Sequence, residues 1–260
     1  MNDLFWKGLL IASFGLSATS LYIITQPDQT LEAHIKRTKD LPIAMSDIEV
    51  VMLVDERLQV LEKKSGKATL DTLLEQYALA PETGTEKRLY GNLDARITLR
   101  EFSDLECPWC KKMHPELKQV VDDSQGVIKW EFIHFPLDMH NPVAAYQAMA
   151  VECVAGDYDN RTAWAFLHTL FDQTAGNGKG ADISGIARSL GLNASRLDNC
   201  IASAPHRAVI NDNRSSGKQN GVTGTPAIQL VDYKTGRTAM IKGYVEPQRL
   251  LQMIQQFLRG

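Results

Sequence analysis

The sequence predicts an α/β fold in which a buried strand leads, through a pair of cysteines, into a helix. Residues 96–102 alternate and are rich in β-branched and aromatic side chains, a pattern typical of a buried strand. The motif Cys107-Pro108-Trp109-Cys110 follows, and residues 111–121 then carry apolar side chains at helical spacing. A further alternating segment at 127–133 predicts the next strand. Strands that alternate with helices indicate an α/β domain.

The N-terminal segment, residues 1–25, is predicted to direct the chain to a membrane. Residues 8–24 form an uncharged, mostly apolar run that follows Lys7. Its length is near the lower limit of the roughly 17–25 residues that span a bilayer. The alternatives are a cleaved signal peptide and a buried core helix, but no small-x-small cleavage site follows the run. We therefore expect an uncleaved inner-membrane anchor, with the rest of the chain in the oxidising bacterial periplasm.

Residues 26–86 are predicted to form a second, small helical segment. Helical patterns occur at 31–39, 45–63 and 69–79, and a linker follows at 81–85. The apolar stripe along these helices is too large for so small a segment to leave in water. Its burial partner is either the chain's own α/β domain or the same segment of another subunit, which would make the protein a homo-oligomer.

Residues 87–260 are predicted to form the α/β domain, with a helical block inserted at about 141–220. Short loops, proline and glycine separate the elements of this part. The expected helices of the block lie at 141–154, 160–172, 183–190, 194–203 and 206–220, the closing strands at 227–232 and 238–242, and the final helix at 247–258.

The spacing of the first two cysteines favours redox chemistry over zinc binding. A Cys-x-x-Cys pair between a strand and a helix is typical of redox sites. Cys107 would lie at the helix N-terminus, where the helix dipole and free N–H groups favour a thiolate. Cys110 would follow one turn inside the helix, placed to attack a mixed disulfide at Cys107. A zinc site needs two further ligands, and the chain has no second Cys-x-x-Cys, so no metal site is predicted.

A second motif runs from Gly221 to Ala227, just before the strand at 227–232. Taken alone, this sequence predicts only a turn. Proline is tolerated at the start of a strand because its missing N–H is not needed there. A cis bond between Thr225 and Pro226 would leave the Thr225 backbone free to pair with an extended substrate beside Cys107.

Three motifs together resemble the DsbA-like branch of the thioredoxin superfamily: residues 101–110, Phe135-Pro136-Leu137, and 221–227. The resemblance covers residues 87–258. The sequence departs from the family pattern at Trp109. It implies a thioredoxin fold with an inserted helical block, and a thiol–disulfide oxidoreductase without a cofactor beyond the redox-active disulfide of Cys107 and Cys110. The implied partners are cysteine-containing exported client proteins and a membrane redox partner.

The resemblance also implies roles for residues around the cysteine pair. Glu101 matches the family's buried acid beneath the site, which would move protons; the alternative is an exposed strand residue. Trp109, where the chain departs from the family, is expected on its own chemistry to be exposed at the tip and to offer apolar contact to clients; the alternative is a purely structural tryptophan. Pro108 and Thr225 are also expected to contact clients. Thr225 and Pro226 are expected to support catalysis.

Two nearby side chains are expected to lie in solvent. Glu106 precedes the nucleophile and is interpreted as a surface residue. His114 lies four positions after Cys110 and is interpreted as a solvated histidine.

The remaining cysteines, Cys153 and Cys200, stand on two predicted helices of the inserted block. In an exported protein two leftover thiols usually pair, so a structural disulfide is predicted. The alternative is a pair of buried free thiols that act as small hydrophobic residues.

Composition and motifs limit the function. A net charge of −3 without a basic patch argues against nucleic acid binding. Pro108 resembles the oxidase pattern and Thr225 the isomerase-like relatives, and we favour the oxidase direction. The alternatives are an isomerase or reductase, or a membrane-tethered chaperone or assembly factor that uses the same groove for binding.

Overall fold

The computed structural model describes residues 70–82 and 88–259, all of which belong to one compact unit. The predicted anchor at 8–24 and the helical patterns at 31–39 and 45–63 lie outside the described residues. Within those two ranges, no helix is both long enough and apolar enough to cross a membrane.

The elements of residues 88–259 follow the predicted order. The strands are β1 (Arg88–Gly91), β2 (Ile97–Ser103), β3 (Ile128–His134), β4 (Ala227–Asp232) and β5 (Thr238–Lys242). The helices are α1 (Pro108–Asp123), α2 (Val143–Asp157), α3 (Asn160–Gln173), α4 (Ile183–Ser189), α5 (Ala194–Ser203), α6 (Arg207–Gln219) and α7 (Pro247–Arg259), with a short 3-10 turn at Asp138–His140.

The five strands form one mixed sheet in the order β1-β3-β2-β4-β5. The β2–β3 pair is parallel, and the β1–β3, β2–β4 and β4–β5 pairs are antiparallel. A parallel pair requires a crossover, which α1 supplies between β2 and β3. Because β2 lies at the centre, the cysteine motif at its C-terminal end stands beside the middle of the sheet.

Both faces of the sheet are covered, so β2 is buried along nearly its whole length. On one face, Leu99 joins the large core that includes α1, α3 and α7. On the other, Phe102 packs with Phe135 and Ala227 in a second, smaller cluster. Glu101 lies between these two β2 residues and, by strand alternation, shares the face of Leu99.

A disulfide joins Cys153 of α2 to Cys200 of α5, with the Cα atoms 6.0 Å apart. This is the pair that the sequence singles out. The bond links two helices of the inserted block 47 positions apart in the sequence. Closing such a loop restricts the unfolded chain, which stabilises a fold by roughly 2–4 kcal/mol.

The last part of the 26–86 segment packs on the chain's own α/β domain. Residues 70–76 are helical, and Leu73, Tyr77 and Ala80 are buried. The Tyr77 ring stacks on Trp164 of α3, with ring centroids 5.9 Å apart. For this stretch, the burial partner is therefore the same subunit.

Candidate active site

Cys107 lies between β2 and α1 and serves as the N-cap of that helix. Its backbone is extended, with φ −82° and ψ 120°, and no side chain caps the helix end. Pro108 occupies the first helical position, where a missing N–H costs nothing. The helix therefore begins directly after Cys107, as predicted, although its apolar spacing is visible only from residue 111 onward. Only 5% of Cys107 is exposed.

The cis-proline loop, residues 221–226, meets Cys107 from a distant part of the chain. The Thr225–Pro226 peptide bond is cis, and the loop leads into β4. When it is protonated, the Cys107 thiol donates a hydrogen bond to the Thr225 carbonyl oxygen, with an Sγ–O distance of 3.5 Å. The structure thus brings together the cysteine motif and the Thr225–Pro226 motif.

The two cysteines of the pair have opposite acidities. A hydrogen bond from Cys110 and the N–H groups at the start of α1 lower the pKa of Cys107 from 9.0 to about 6, against the effect of burial. Cys110 is fully buried, and this burial raises the pKa of its thiol well above the usual value. The Asp104 N–H donates to Cys110 Sγ at 3.5 Å. At neutral pH, Cys107 is the thiolate and Cys110 the protonated thiol.

Glu101 is fully buried beneath this pair, which excludes the exposed-strand alternative. Its Oε2 accepts a hydrogen bond from Trp130 Nε1 at 3.0 Å. Burial, together with the negative charge of Cys107, raises the pKa of Glu101 to about 8. The charge of Glu101 in turn helps to raise the pKa of Cys110. Glu101 therefore changes its protonation state near physiological pH.

Trp109 is 56% exposed at the tip of the motif and lies against a residue that the sequence did not single out. Its ring lies 5.5 Å from that of Tyr244, between β5 and α7. Lys112 Nζ lies 4.1 Å from the centre of the Tyr244 ring, and the Tyr244 hydroxyl donates to Glu116 at 2.9 Å. Tyr244 belongs to no periodic pattern, so the sequence carries no signal for it.

The interpretation of Glu106 as a surface residue is wrong, because its side chain is fully buried. Its carboxylate accepts hydrogen bonds from the Thr174 hydroxyl, from Gln147 Nε2 at 2.6 Å and from the Gly180 N–H at 3.0 Å. These donors belong to α2 and to residues 174–180, which we call the glycine loop. All three lie at least 41 positions downstream, so local sequence does not reveal them.

The interpretation of His114 as solvated is also wrong. Its ring is buried among aromatic side chains, including Trp130 and Phe171. His114 Nε2 lies 3.0 Å from the Tyr77 hydroxyl oxygen. Burial lowers the pKa of this imidazole well below its usual value. The segment at 70–82 covers this side of α1, which the α1 sequence alone does not indicate.

Asp104 explains why the motif Phe135-Pro136-Leu137 lies beside the cysteines. Its Oδ2 accepts a hydrogen bond from the Leu137 N–H at 2.7 Å and lies 2.9 Å from His140 Nδ1. Its Oδ1 accepts from the Glu106 N–H at 2.7 Å. One buried carboxylate therefore fastens the segment after β3 to the turn that precedes Cys107.

Within residues 70–82 and 88–259, one group of three side chains of the kinds that bind metal ions lies away from the cysteine pair. Cys153, Cys200 and His206 place their ligand atoms within 4.8 Å of one another. Because the two sulfur atoms are bonded to each other, they do not offer thiolates to a metal.

Comparisons with known proteins agree with this fold. A family model described as "Thioredoxin" matches residues 83–246. DsbA2 of Pseudomonas aeruginosa is 31% identical, with a TM-score of 0.60 over 68% of this chain and 97% of that one. The thiol-disulfide exchange protein alpha-DsbA2 of Wolbachia pipientis is 20% identical, with a TM-score of 0.56 over 75% of this chain and 97% of that one, a likeness of fold.

The similarity also extends to part of a much longer protein. A Na(+)/H(+) antiporter NhaA 1 of Salinispora arenicola is 28% identical over 148 residues, 57% of this chain. That match covers 22% of the antiporter, so the chain spans about a fifth of the length of the curated relatives that it matches first.

Proposed function

The chain belongs to the thioredoxin family and is DsbA-like, and from this premise we propose that it is a thiol–disulfide oxidoreductase acting on cysteine-containing client proteins. The observation that carries the proposal is the acidity difference within one Cys-x-x-Cys pair. The pKa of Cys107 is lowered to about 6, whereas burial raises that of Cys110. One sulfur is thus a nucleophile at neutral pH and the other a protected resolving thiol.

The reaction proceeds by two thiolate attacks. In the oxidised enzyme, Cys107 and Cys110 form a disulfide, and a client thiolate attacks Cys107 Sγ. The Cys107–Cys110 bond breaks, its electron pair leaves on Cys110, and a mixed disulfide forms. A second client thiolate then attacks the client sulfur and releases Cys107 as a thiolate. The client loses two electrons and two protons; the cysteine pair gains the two electrons, Cys110 gains one proton, and the other proton goes to solvent because Cys107 leaves as a thiolate.

Residues around the pair assist each step. Glu101 gives a proton to the departing Cys110 sulfur and takes it back on reoxidation, which its raised pKa of about 8 supports. The Thr225 backbone, held beside Cys107 by the cis bond to Pro226, pairs with an extended client. The exposed ring of Trp109, next to Pro108, offers apolar contact to the client.

We favour the oxidase direction, with the disulfide passing to the client. An oxidant is strong when its reduced form is stabilised, and the lowered pKa of Cys107 reports such stabilisation. The reduced pair is then reoxidised by a membrane redox partner. In the reductase direction the electrons pass from the reduced pair to a client disulfide, whereas an isomerase rearranges client disulfides without net electron transfer.

The proposed setting is the bacterial periplasm. There the chain would be anchored to the inner membrane through residues 8–24, and the part of the 26–86 segment before residue 70 would serve homo-oligomer formation. This setting rests on the apolar N-terminal run and on the disulfide of Cys153 and Cys200, a bond that persists in oxidising compartments. The function needs no metal, cofactor or nucleic acid.

Disulfide transfer to a reduced client tests the proposed function. We expect the oxidised full-length protein, mixed with reduced and unfolded ribonuclease, to gain thiols at Cys107 and Cys110 while the client loses an equal number. Alkylation followed by peptide mass analysis counts these thiols. Cys153 and Cys200 are the internal control and are expected to stay bonded. Unchanged thiol counts at Cys107 and Cys110 would reject the proposal.

A further inference from the structure

The glycine loop contacts the residues on both sides of Cys107. A Cβ atom on Gly176 would lie 3.3 Å from the Glu106 carbonyl oxygen and 3.8 Å from Pro108 Cγ. The Asn177 N–H donates to the same Glu106 carbonyl at 2.7 Å. The loop backbone therefore lies directly against the two neighbours of the nucleophile. Gly176 has a φ of +71°, which side chains rarely adopt, so this close approach depends on glycine.

The Glu106 carboxylate fastens both ends of this loop. The Thr174 hydroxyl at its start and the Gly180 N–H at its end both donate to this carboxylate, and Gln147 of α2 adds a third hydrogen bond. A fully buried carboxylate is stable only with such donors. Lys111 of α1 adds a hydrogen bond from Nζ to the Thr174 carbonyl at 3.3 Å. The glycine loop is thus attached to the turn that precedes Cys107 as well as to α3, the helix that it follows.

The far side of the glycine loop rests against the segment after β3. A Cβ atom on Gly178 would lie 3.6 Å from His140 Cα and 3.8 Å from the Met139 carbonyl oxygen. Met139 is 80% exposed, the most exposed of the large apolar side chains among the described residues. The loop therefore lies between Pro108, next to Cys107, and the backbone of the segment that carries the exposed Met139 side chain.

We propose that Glu106 is a positioning residue that holds the glycine loop as a wall of the client site, so that the protein favours polypeptide thiols over small thiols. This inference rests on the proposed function. An extended client that pairs with the Thr225 backbone passes along this wall and places an apolar side chain against Met139. A small thiol such as glutathione reaches Cys107 without touching the wall. Glu106 itself exchanges neither electrons nor protons with the substrate.

A comparison of two substrates tests this role. In Glu106→Gln, an amide NH2 group replaces one of the carboxylate oxygens. The oxygen accepts hydrogen bonds, whereas the NH2 group is a donor and would face the donors of the glycine loop. The rate constants for exchange with glutathione and with a twelve-residue apolar peptide carrying one cysteine are measured on the full-length protein. Losing a hydrogen bond to a charged group is worth about 1.5–3 kcal/mol, so we expect the peptide-to-glutathione rate ratio to fall about tenfold or more.

A second variant and a matched control make the result decisive. Thr174→Val removes one hydrogen bond to Glu106 without removing the carboxylate, and it is expected to lower the ratio in the same direction. Glu82→Gln makes the same chemical change at an exposed position and is expected to keep the wild-type ratio. An unchanged ratio in both Glu106→Gln and Thr174→Val, or equal losses with both substrates, overturns the inference. Failure of the wild-type protein to exchange with either substrate instead removes the proposed function, and the inference with it.

Discussion

Replacing Cys107 with serine is expected to abolish disulfide exchange with clients. A serine hydroxyl remains protonated at neutral pH, whereas the Cys107 thiol has a pKa of about 6 and is largely a thiolate. Loss of the nucleophile should lower the exchange rate by about 10³-fold or more. The rate is measured as the appearance of client disulfides under the conditions of the transfer experiment.

Cys110→Ser cannot form the Cys107–Cys110 disulfide, so it is mixed instead with a client that already carries a disulfide, which the Cys107 thiolate attacks. The nucleophile remains, but no resolving thiol is left to release a client from Cys107. The mixed disulfide should therefore accumulate, visible as a covalent adduct by mass spectrometry without reductant. Serine at Cys153 and Cys200 together is the matched control and should leave exchange intact, since that disulfide lies in the inserted block. Full activity in a Cys107→Ser, Cys110→Ser double variant would contradict redox chemistry and favour a chaperone or assembly factor.

Glu101→Gln is expected to remove most of the pH dependence that this buried carboxyl gives to stability. The pKa of Glu101 rises from 4.5 to about 8 on folding, so the folded protein holds a proton that the unfolded chain has released. Its contribution to stability is fully present below about pH 4.5 and is lost as the pH rises to about 8. Each pKa unit is worth about 1.4 kcal/mol, so this loss is on the order of 5 kcal/mol.

Denaturant unfolding of both proteins between pH 4 and pH 9 measures this effect. Relative to wild type, the glutamine variant should become progressively more stable as the pH rises, because it cannot ionise. Glu75→Gln makes the same change at an exposed position and should follow wild type at every pH. Glu101→Gln should also exchange disulfides more slowly than wild type, by on the order of 10²-fold, since its side chain cannot move the Cys110 proton. Stability curves that stay parallel across this range would contradict a buried, proton-binding Glu101.

The fold could be predicted from sequence where local chemistry determines it. The bounds predicted for α5 and β4 match the structure, because Asn193 caps α5 and Pro226 precedes β4. Cys107 was predicted at the N-terminus of α1 and serves as its N-cap, whereas α2 was predicted at 141–154 and runs from Val143 to Asp157. For the described residues, boundary differences of this kind are changes of a few positions and leave the order of elements intact.

The site could be predicted only where a motif carries it. Cys107 and Cys110 follow from their spacing, and the approach of Thr225 followed from the resemblance. The face occupied by Glu101 could not be predicted, because β2 is buried on both sides and its alternation carries no contrast. Glu106 and His114 were misplaced because their partners come from the inserted block and from the segment before β1. A charged residue pairs across the fold in ways that neighbouring residues do not encode.

The reduction potential of the Cys107–Cys110 pair is the most direct test of the central claim, that this pair donates its disulfide to clients. The full-length protein is equilibrated in glutathione buffers of increasing reducing strength, and the oxidised fraction is counted by alkylation and mass. Stabilisation of the Cys107 thiolate favours the reduced form, so the account predicts a strongly oxidising value near about −120 mV. A potential of about −180 mV or lower would contradict the oxidase direction, because the reduced pair would then favour isomerisation or reduction of client disulfides.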